Sequence, residues 1–423
     1  MTSERECFVY IVLPGTTEFV TAGKFRLAEG RAGDMVGEFV YGRKYLDRPD
    51  AVELDPIELR LAPRTYETAR MKGIFGAIRD AMPDYWGRRV IEKHSGRTVL
   101  EEFDYLMEGP DDRAGALGFG LGVEPPAPRR TFNRTLDLER LQAAADAIIA
   151  DDPDLAGSAA AQAQELIDPG TSMGGARPKT VVQDKNDLWI AKFGTQNDRW
   201  NYPRVEHGML NLARLCGLNV ADSRVVTVGG RDVLLVRRFD RDGSAKTGFR
   251  RHRMVSALTL LQTSDDASDH ARWSYLLLAD ELRRVSASPE ADLRELYARI
   301  CFNAVVSNID DHPRNHAVLA KDKTWRLSPA FDLTPTPSVA EDRRDLAMIC
   351  GNSGRYANKA NIISGHGRFL LTEDEAIAIF DEIAGTVRTQ WHAEMRRAGV
   401  SDRDCEAISR AFLYDGLFYE LAA

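Results

Sequence analysis

Three side chains with oxygen donors, Asp310, Asn315 and Asp332, have the types and spacing of a site that binds an anion together with a metal ion. Four residues separate Asp310 from Asn315, and two short apolar runs joined at 321–323 precede Asp332. Such runs on either side of a polar turn predict a hairpin. Because a hairpin returns the chain to its starting point, Asp332 is expected beside Asp310 and Asn315. Magnesium, a hard cation, prefers oxygen ligands of this kind.

The same order of residues serves phosphoryl transfer in protein kinases. There the first Asp orients the attacking hydroxyl, and the Asn and the second Asp hold magnesium against the triphosphate. The element that must position them is a helix over 292–307, whose apolar residues recur at helical spacing before the loop that begins at Asn308. The stretch therefore indicates a catalytic loop at the end of one buried helix.

Two other interpretations of this stretch remain open. Asp, Asn and Pro favour turns, so the loop could have a purely structural role. His312 and His316 also have a spacing that occurs in metal hydrolases, with Asp310 and Asp332 as further ligands. Pro313 disfavours that pairing, because proline is tolerated only in the first turn of a helix. By itself the stretch leaves phosphoryl transfer, metal-dependent hydrolysis and a structural loop as alternatives.

A glycine pair forms a second candidate site in the middle of the chain. Gly174 and Gly175 lie just before a predicted strand at 180–182, and a second predicted strand at 188–193 carries Lys192. Glycine lets backbone N–H groups approach a phosphate, and a lysine can reach it as a point charge. Taken alone, a Gly-Gly hairpin with a surface lysine is the better interpretation. The Asp310 region, which independently calls for a nucleotide, favours the phosphate site.

The predicted helix Pro203–Leu215 carries Glu206 in its first turn, where the helix dipole favours a carboxylate. A functional role would be to pair with Lys192 and orient it, as in kinases. Two further strands precede the charged run Arg237–Gly243, which alone reads as a surface turn. After Gly243 the pattern is mainly helical, and Arg250–Arg253 is interpreted as a solvated turn. A strand-rich part followed by a helical part predicts an α+β, bilobal, protein-kinase-like fold.

Composition narrows the function further. The chain has 423 residues, a net charge of -8 and five scattered cysteines. An acidic chain is a poor candidate for binding nucleic acid by itself. The cysteines predict a reducing compartment without disulfides, and the absence of a signal-peptide pattern or an apolar run that could span a bilayer predicts a cytoplasmic protein without membrane contact.

With these pieces placed, the chain resembles the HipA family of bacterial serine/threonine kinase toxins, which belong to type II toxin–antitoxin systems. The resemblance covers most of the length. It rests on the following motifs: Gly73–Asp84, Asp112–Gly118, Ser172–Lys179, Lys192, Glu206, Arg238–Arg241, Asn308–Asn315 and Ser328–Asp332. Phe331 precedes Asp332, whereas eukaryotic kinases have Phe after the corresponding Asp. The activation-loop switching of eukaryotic kinases is therefore not inferred for this chain.

The resemblance implies roles for individual residues. Asp310 would be the catalytic Asp, Asn315 and Asp332 the magnesium ligands, and Glu206 a supporting residue. Ser172 lies where the family carries a serine that the kinase phosphorylates on itself. The implied ATP-binding residues are Ser172, Gly174, Gly175, Lys179, Lys192, Arg238, Phe239, Asp240, His312 and Arg314.

The resemblance also implies an organisation and partners. Residues 1–135 would form a HipA N-terminal-like subdomain, 136–240 the kinase N-lobe and 241–423 the helical C-lobe. The cofactors would be ATP and Mg²⁺. The partners would be a HipB-like helix-turn-helix antitoxin and a protein substrate such as an aminoacyl-tRNA synthetase, with DNA bound only through the antitoxin. The alternative from another class is a non-enzymatic co-repressor that binds the antitoxin.

Overall fold

The computed structural model describes residues 5–30, 33–97, 99–150, 166, 175–338 and 340–420. Its N-terminal part contains a five-stranded antiparallel sheet with strand order β4-β3-β2-β1-β5. The strands are β1 (Arg5–Val12), β2 (Phe19–Glu29), β3 (Met35–Tyr41), β4 (Thr65–Thr68) and β5 (Leu117–Gly120). The helices of this part are α1 (Arg43–Leu46), α2 (Gly76–Asp80), α3 (Tyr85–Ser95) and α4 (Glu102–Glu108). Strand β1 is buried on both faces, with Val9 and Ile11 in the main core and Tyr10 and Val12 in a smaller cluster with Phe19.

The central part is a four-stranded antiparallel sheet, order β6-β7-β9-β8, with two helices in contact with it. Its elements are α5 (Leu138–Ala150), β6 (Lys179–Asp184), β7 (Asp187–Phe193), α6 (Tyr202–Leu215), β8 (Ser223–Val228) and β9 (Arg231–Arg237). Asn201 caps α6 by accepting a hydrogen bond from the Arg204 N–H at 3.1 Å. The predicted strand pair and helix in this region are confirmed, with bounds that differ by one or two residues.

The C-terminal part is mainly helical. Its helices are α7 (Ala257–Leu261), α8 (Tyr275–Val285), α9 (Pro289–Val305), α10 (Lys359–Ser364), α11 (Glu373–Arg397) and α12 (Asp402–Ile408). Helix α9, predicted over 292–307, is buried between α8 and α11. Every residue from Arg299 to Val305 is buried, polar Arg299 and Asn303 included, because the helix has neighbours on several sides. No helix in the described ranges is long and apolar enough to cross a membrane.

The predicted hairpin is present as β13 (Ala317–Ala320) and β14 (Arg326–Leu327). Asp292 at the start of α9 accepts hydrogen bonds from the Leu327 N–H at 2.9 Å and from Arg326 Nη2 at 3.0 Å. These bonds fasten the hairpin to the helix that precedes the loop. The return of the chain toward its starting point is therefore fixed by one carboxylate.

The expectation of a mainly helical chain after Gly243 is confirmed for the C-terminal part as a whole but wrong for its start, residues 241–256. These form three strands, β10 (Arg241–Ser244), β11 (Gly248–Arg251) and β12 (Arg253–Ser256), and β12 pairs with β13. The interpretation of Arg250–Arg253 as a solvated turn is also wrong. Arg251 and Arg253 are buried, and each pairs at 2.7 Å with an acid of the N-terminal part, Asp111 and Glu53 respectively. Their charges are compensated by residues far away in sequence.

Asp55 carries a buried carboxyl group whose ionisation the fold opposes. Its Oδ1 accepts hydrogen bonds from the N–H groups of Ile57, Glu58 and Leu59 at 2.8, 2.6 and 3.3 Å, and its Oδ2 has no partner among the described residues. Burial, reinforced by the Glu58 carboxylate, raises the pKa of Asp55 from 3.8 to about 7. The folded state thus favours the protonated form.

Because the pKa is higher in the folded than in the unfolded state, the contribution of Asp55 to stability is complete below about pH 4 and is lost as the pH rises through about 7. We expect Asp55→Asn, an isostere of the protonated acid, to remove this loss. Relative to the wild type, the variant should gain up to about 4 kcal/mol between pH 4 and pH 8. Urea unfolding of both proteins across this range measures the difference. Parallel pH profiles would contradict the assignment.

Candidate active site

A buried carboxylate, that of Asp311, joins the loop that follows α9 to the residues around it by hydrogen bonds. Asp311 accepts hydrogen bonds from Asn303 Nδ2 at 2.7 Å and from the Tyr275 hydroxyl, and it lies 2.6 Å from His316 Nε2. All four side chains are buried. The sequence analysis assigned no role to Asp311, since its partners come from three separate elements. This network fixes the backbone on both sides of Asp310.

Asp310 itself is exposed, unlike the four buried side chains of that network. Partial desolvation raises the pKa of Asp310, the charges of Asp332 and Asp311 raise it further, and His312 opposes them. Asn315 Nδ2 donates to the Asp310 backbone carbonyl at 3.2 Å. Both residues predicted to hold the metal ion are therefore near the Asp that was predicted to orient a hydroxyl: Asn315 by this hydrogen bond, and Asp332 within range of its charge.

Lys192, Glu206 and Asp332 meet in one ionic cluster. Lys192 Nζ lies 2.6 Å from Glu206 Oε1 and 2.6 Å from Asp332 Oδ1. Burial alone would lower the pKa of Lys192, but the two carboxylates outweigh it and raise the pKa. Burial would raise the pKa of Asp332, but the Lys192 ammonium outweighs it and lowers that pKa. For Glu206 burial outweighs the Lys192 ammonium, so the pKa of Glu206 is raised. The predicted pairing of Glu206 with Lys192 is therefore present in the structure.

The oxygen donors predicted for magnesium fit a hard cation. Asn315 Oδ1 is buried and receives no hydrogen bond from the described residues, although its amide nitrogen is engaged. A buried carbonyl oxygen without a donor is costly unless a ligand satisfies it. Asp332 supplies an anionic carboxylate, and its backbone has a left-handed φ of 59°, which is uncommon outside glycine. These two residues are the ones that would hold a cation with the phosphates.

The interpretation as a metal hydrolase gains no support. His316 is engaged with Asp311 beneath the loop. Within the part of the chain that the structure describes, no three or more His, Cys, Asp or Glu side chains are grouped so that they could hold a metal ion. The H-x3-H spacing of His312 and His316 therefore does not form a zinc site of the kind that hydrolases use.

A mostly apolar cavity adjoins the ionic cluster. Phe239 and Phe331 lie on its wall with ring centroids 5.6 Å apart. Ala114 of the N-terminal part also faces it. The full lining comprises Ala114, Lys179, Ile190, Lys192, Val236–Asp240, Met254, Phe331 and Asp332. An apolar, aromatic-walled cavity with a lysine and a carboxylate at its edge suits a planar base with charged groups attached.

The described end of the glycine segment contacts Lys179, which lines this cavity. Gly175 has φ +94°, and a Cβ added there would lie 3.1 Å from Lys179 Nζ. Lys179 Nζ donates to the Gly175 carbonyl at 2.9 Å and pairs with Asp84 of the N-terminal part at 2.8 Å. The sequence analysis quoted Asp84 only as part of a motif and missed its pairing with Lys179, which lies 95 residues later in the chain. Ser172 and Gly174 are outside the described residues.

The prediction of a charged surface turn at Arg237–Gly243 is wrong for its central residues. Arg238 and Arg241 are buried, and both pair with Asp112 and Asp240, at distances between 2.5 and 3.0 Å. The charged groups of Arg238 and Asp240 are thus engaged with each other, that of Arg238 also with Asp112 and that of Asp240 also with Arg241. Nothing in the pattern of the loop 108–122 revealed a partner for Asp112, although its motif carried part of the resemblance.

The two remaining predicted residues lie on the catalytic loop. Arg314 Nε donates to Asp265 Oδ1 at 3.0 Å. His312 is half-buried, with its ring 6.3 Å from that of Trp273, and its Nδ1 has no partner among the residues described here. The structure therefore brings Lys179, Lys192, Phe239 and Asp332 together on the lining of one cavity, with Glu206 paired to Lys192 and Gly175 in contact with Lys179. Asp310, His312, Arg314 and Asn315 form the adjoining loop.

Comparisons with known proteins bear on the family and the fold of the chain. The family model for the HipA-like C-terminal domain matches residues 171–391. Two relatives from Sinorhizobium fredii (strain NBRC 101917 / NGR234) are named "Putative kinase", Y4mE and Y4dM. Y4mE is 32% identical over 146 residues, 34% of this chain and 34% of the relative. Y4dM is 24% identical over 237 residues, 52% of this chain and 55% of the relative. The chain thus spans about a third and about half of their lengths.

The fold is that of a solved toxin–antitoxin protein. The HipA chain in the Shewanella oneidensis MR-1 complex of HipA, HipB and operator DNA superposes with a TM-score of 0.69 and covers 96% of this chain and 94% of that chain. Its sequence identity of 18% shows a common fold alone. The predicted bilobal, kinase-like α+β class is thereby confirmed. Since the family model matches more than half of its length, the chain belongs to the HipA family.

Proposed function

We propose that this protein is a serine/threonine kinase that transfers the γ-phosphoryl group of ATP to a hydroxyl of another protein. The observation that carries the proposal is the Lys192 ammonium, which lies 2.6 Å from both Glu206 and Asp332 at the edge of the cavity between Phe239 and Phe331. A buried lysine oriented by a glutamate is the arrangement with which kinases hold the phosphates of ATP. The kinase name of both relatives agrees with it.

The chain's own residues supply positioning and charge rather than covalent chemistry. Asp310, exposed beside the cavity, orients the acceptor hydroxyl and accepts its proton as the hydroxyl oxygen bonds to the γ-phosphorus. The bond from that phosphorus to the bridging oxygen breaks, and ADP leaves with the electron pair. Lys192 and Lys179 hold phosphate oxygens, and Asn315 with Asp332 would hold magnesium. Bound magnesium would neutralise the negative charge that the phosphates carry.

We further propose that a small helix-turn-helix antitoxin like HipB restrains the kinase. The neighbour from Shewanella oneidensis MR-1 was solved with HipB and operator DNA. The acidic net charge of -8 suits binding to DNA through such a partner rather than directly. Free cysteines at all five positions agree with action in a reducing cytoplasm. The substrate could be an aminoacyl-tRNA synthetase.

We also propose that Ser172 is a site of autophosphorylation that switches the kinase off. Ser172 precedes the glycine pair, whose Gly175 contacts Lys179. A phosphate on Ser172 would bring about two negative charges next to the triphosphate and repel it. Phosphorylated protein should therefore lose nucleotide affinity, and Ser172→Ala should keep it.

The test is incubation of the purified protein with γ-labelled ATP and a cell extract. We expect label on Ser172 and on one extract protein, identified by mass spectrometry, with at least about 100-fold less label for Lys192→Met because the phosphates lose their cation. ATP binding without any label transfer would overturn the kinase proposal and favour the non-enzymatic co-repressor. Antitoxin binding, measured on the same preparation, tests the partner separately.

A further inference from the structure

Three guanidinium groups gather beside the catalytic loop, at the boundary with the N-terminal part. This arginine cluster consists of Arg79 from α2, Arg88 from α3 and Arg314, which immediately precedes Asn315. Two carboxylates join its members. Asp265 lies 3.0 Å from Arg314 Nε and 3.5 Å from Arg79 Nη2, and Glu102 lies 2.6 Å from Arg88 and 3.6 Å from Arg79.

The cluster carries a surplus of positive charge. Lys72 also lies 3.5 Å from Glu102, so four cations share the two carboxylates of Glu102 and Asp265. Of the two other acids nearby, Asp84 is paired with Lys179. Asp80 is buried beneath the cluster and accepts hydrogen bonds from Ser256 and Thr259, and burial raises its pKa, which opposes its charged form.

Arg79 is the member that lacks a partner of its own. Its ionic contacts, at 3.5 and 3.6 Å, are longer than the 2.7–2.9 Å of a charge-assisted hydrogen bond. Its Nε is buried without a hydrogen-bond partner in the described ranges, although 19% of the side chain is exposed. Burial and the charges of Arg314 and Arg88 lower the pKa of Arg79. An anion supplied from outside would satisfy it.

The position of the cluster indicates the source of that anion. Arg314 lies four residues after Asp310 in the same loop. Asp265, the partner of Arg314, is near enough to His312 of this loop for the charge of His312 to lower the pKa of Asp265. The nucleotide cavity with Lys179 and Lys192 has a separate lining that contains none of the three arginines. A peptide whose hydroxyl reaches Asp310 would pass its neighbouring residues along this wall, because the cluster adjoins the catalytic loop.

We propose that the arginine cluster binds an acidic side chain, Asp or Glu, that flanks the acceptor hydroxyl in the protein substrate. The inference rests on the proposed kinase function and adds the class of substrate to it. Arginine suits the role, since its planar fork matches a carboxylate. The N-terminal part thereby contributes a specificity-determining residue, Arg79, to a site otherwise built from the kinase part.

The test uses serine peptides in which each flanking position in turn carries Asp or Asn. We expect the wild type to prefer peptides with Asp at one position, and Arg79→Gln to lower kcat/KM for those peptides about ten-fold while leaving Asn peptides and the KM for ATP unchanged. Arg79→Lys, which keeps the charge, should restore part of the preference. Arg283→Gln on α8, an exposed arginine remote from the loop in sequence, is the matched control.

A second arm does not depend on phosphoryl transfer. The same peptides with Ala at the acceptor position and a fluorescent label are titrated against each variant, and anisotropy reports binding. Binding that depends on both Asp and Arg79 and weakens with salt supports the inference even if no peptide is ever phosphorylated, an outcome that would overturn the kinase proposal alone. Equal Asp preference in wild type and in folded Arg79→Gln, or no Asp preference in either arm, overturns the inference.

Discussion

Replacement of Asp310 by Asn should abolish phosphoryl transfer, by about 100- to 10,000-fold, while leaving the fold intact. The Asp310 side chain is exposed and makes no hydrogen bond to the described residues, so its exchange breaks no contact that holds the loop. The loop is held instead by Asp311 beneath it. ATP affinity should persist, because Lys192 and the aromatic cavity are untouched. Label transfer and nucleotide titration on the same preparation separate the two effects.

The pH dependence of the wild type gives a second readout. The pKa of Asp310 is raised, so the carboxylate that orients the hydroxyl is lost at a higher pH than an ordinary aspartate would be. Activity should therefore fall on the acid side with a midpoint above that of a free aspartate. Asp374→Asn, which removes an exposed carboxylate from the first turn of α11, is the matched control and should retain full activity. Transfer at the normal rate by Asp310→Asn would defeat the role given to Asp310.

The parts of the site that sequence reasoning predicted are those with local causes. Apolar periodicity identified α9, and a polar turn between two apolar runs identified the hairpin that ends before Asp332. Helical periodicity predicted α6, but Glu206 is its fifth residue and lies just beyond the first turn in which it was expected, and its contact with Lys192 rested on analogy with kinases. In each case the signal lies within one element or between adjacent elements, where period and turn chemistry act.

The contacts that sequence reasoning missed depend on partners remote in the chain. Arg251 and Arg253 are charged, and a run of such residues ordinarily indicates solvent. They are buried only because Asp111 and Glu53, from the N-terminal part, neutralise them. The contact of Asp84 with Lys179 has the same character. No local pattern encodes a pairing across 95 residues or more, so the junction between the N-terminal and kinase parts was invisible in the sequence.

That junction carries the largest expected loss of stability. The side chain of Asp112 is 0% exposed and lies 2.5 Å from Arg238 and 3.0 Å from Arg241. With Asp240 it balances the two guanidinium charges. Asp112→Asn leaves one buried cation uncompensated, and breaking a buried pair in this way costs about 3–5 kcal/mol. We expect urea unfolding at neutral pH to show a loss of that size.

The same Asp-to-Asn change in a surface ion pair separates the effect of burial on stability from the effect of removing a charge. Asp187 pairs with Arg237 at 2.8 Å near the same strand end, but 42% of its side chain is exposed, so Asp187→Asn should cost no more than about 1 kcal/mol. Equal losses for Asp112→Asn and Asp187→Asn would contradict the assigned role of burial.

Asp112→Asn should also weaken nucleotide binding. Asp240 accepts a hydrogen bond from the Gly115 N–H at 2.9 Å, and the neighbouring Ala114 and Phe239 both line the cavity. Loss of Asp112 frees Arg238 and Arg241 to compete for Asp240, which would shift the wall that the N-terminal part contributes. ATP affinity of folded Asp112→Asn, measured well below the unfolding transition, should therefore fall while that of Asp187→Asn does not. If it stays at the wild-type value, the ionic network stabilises the junction without shaping the nucleotide cavity.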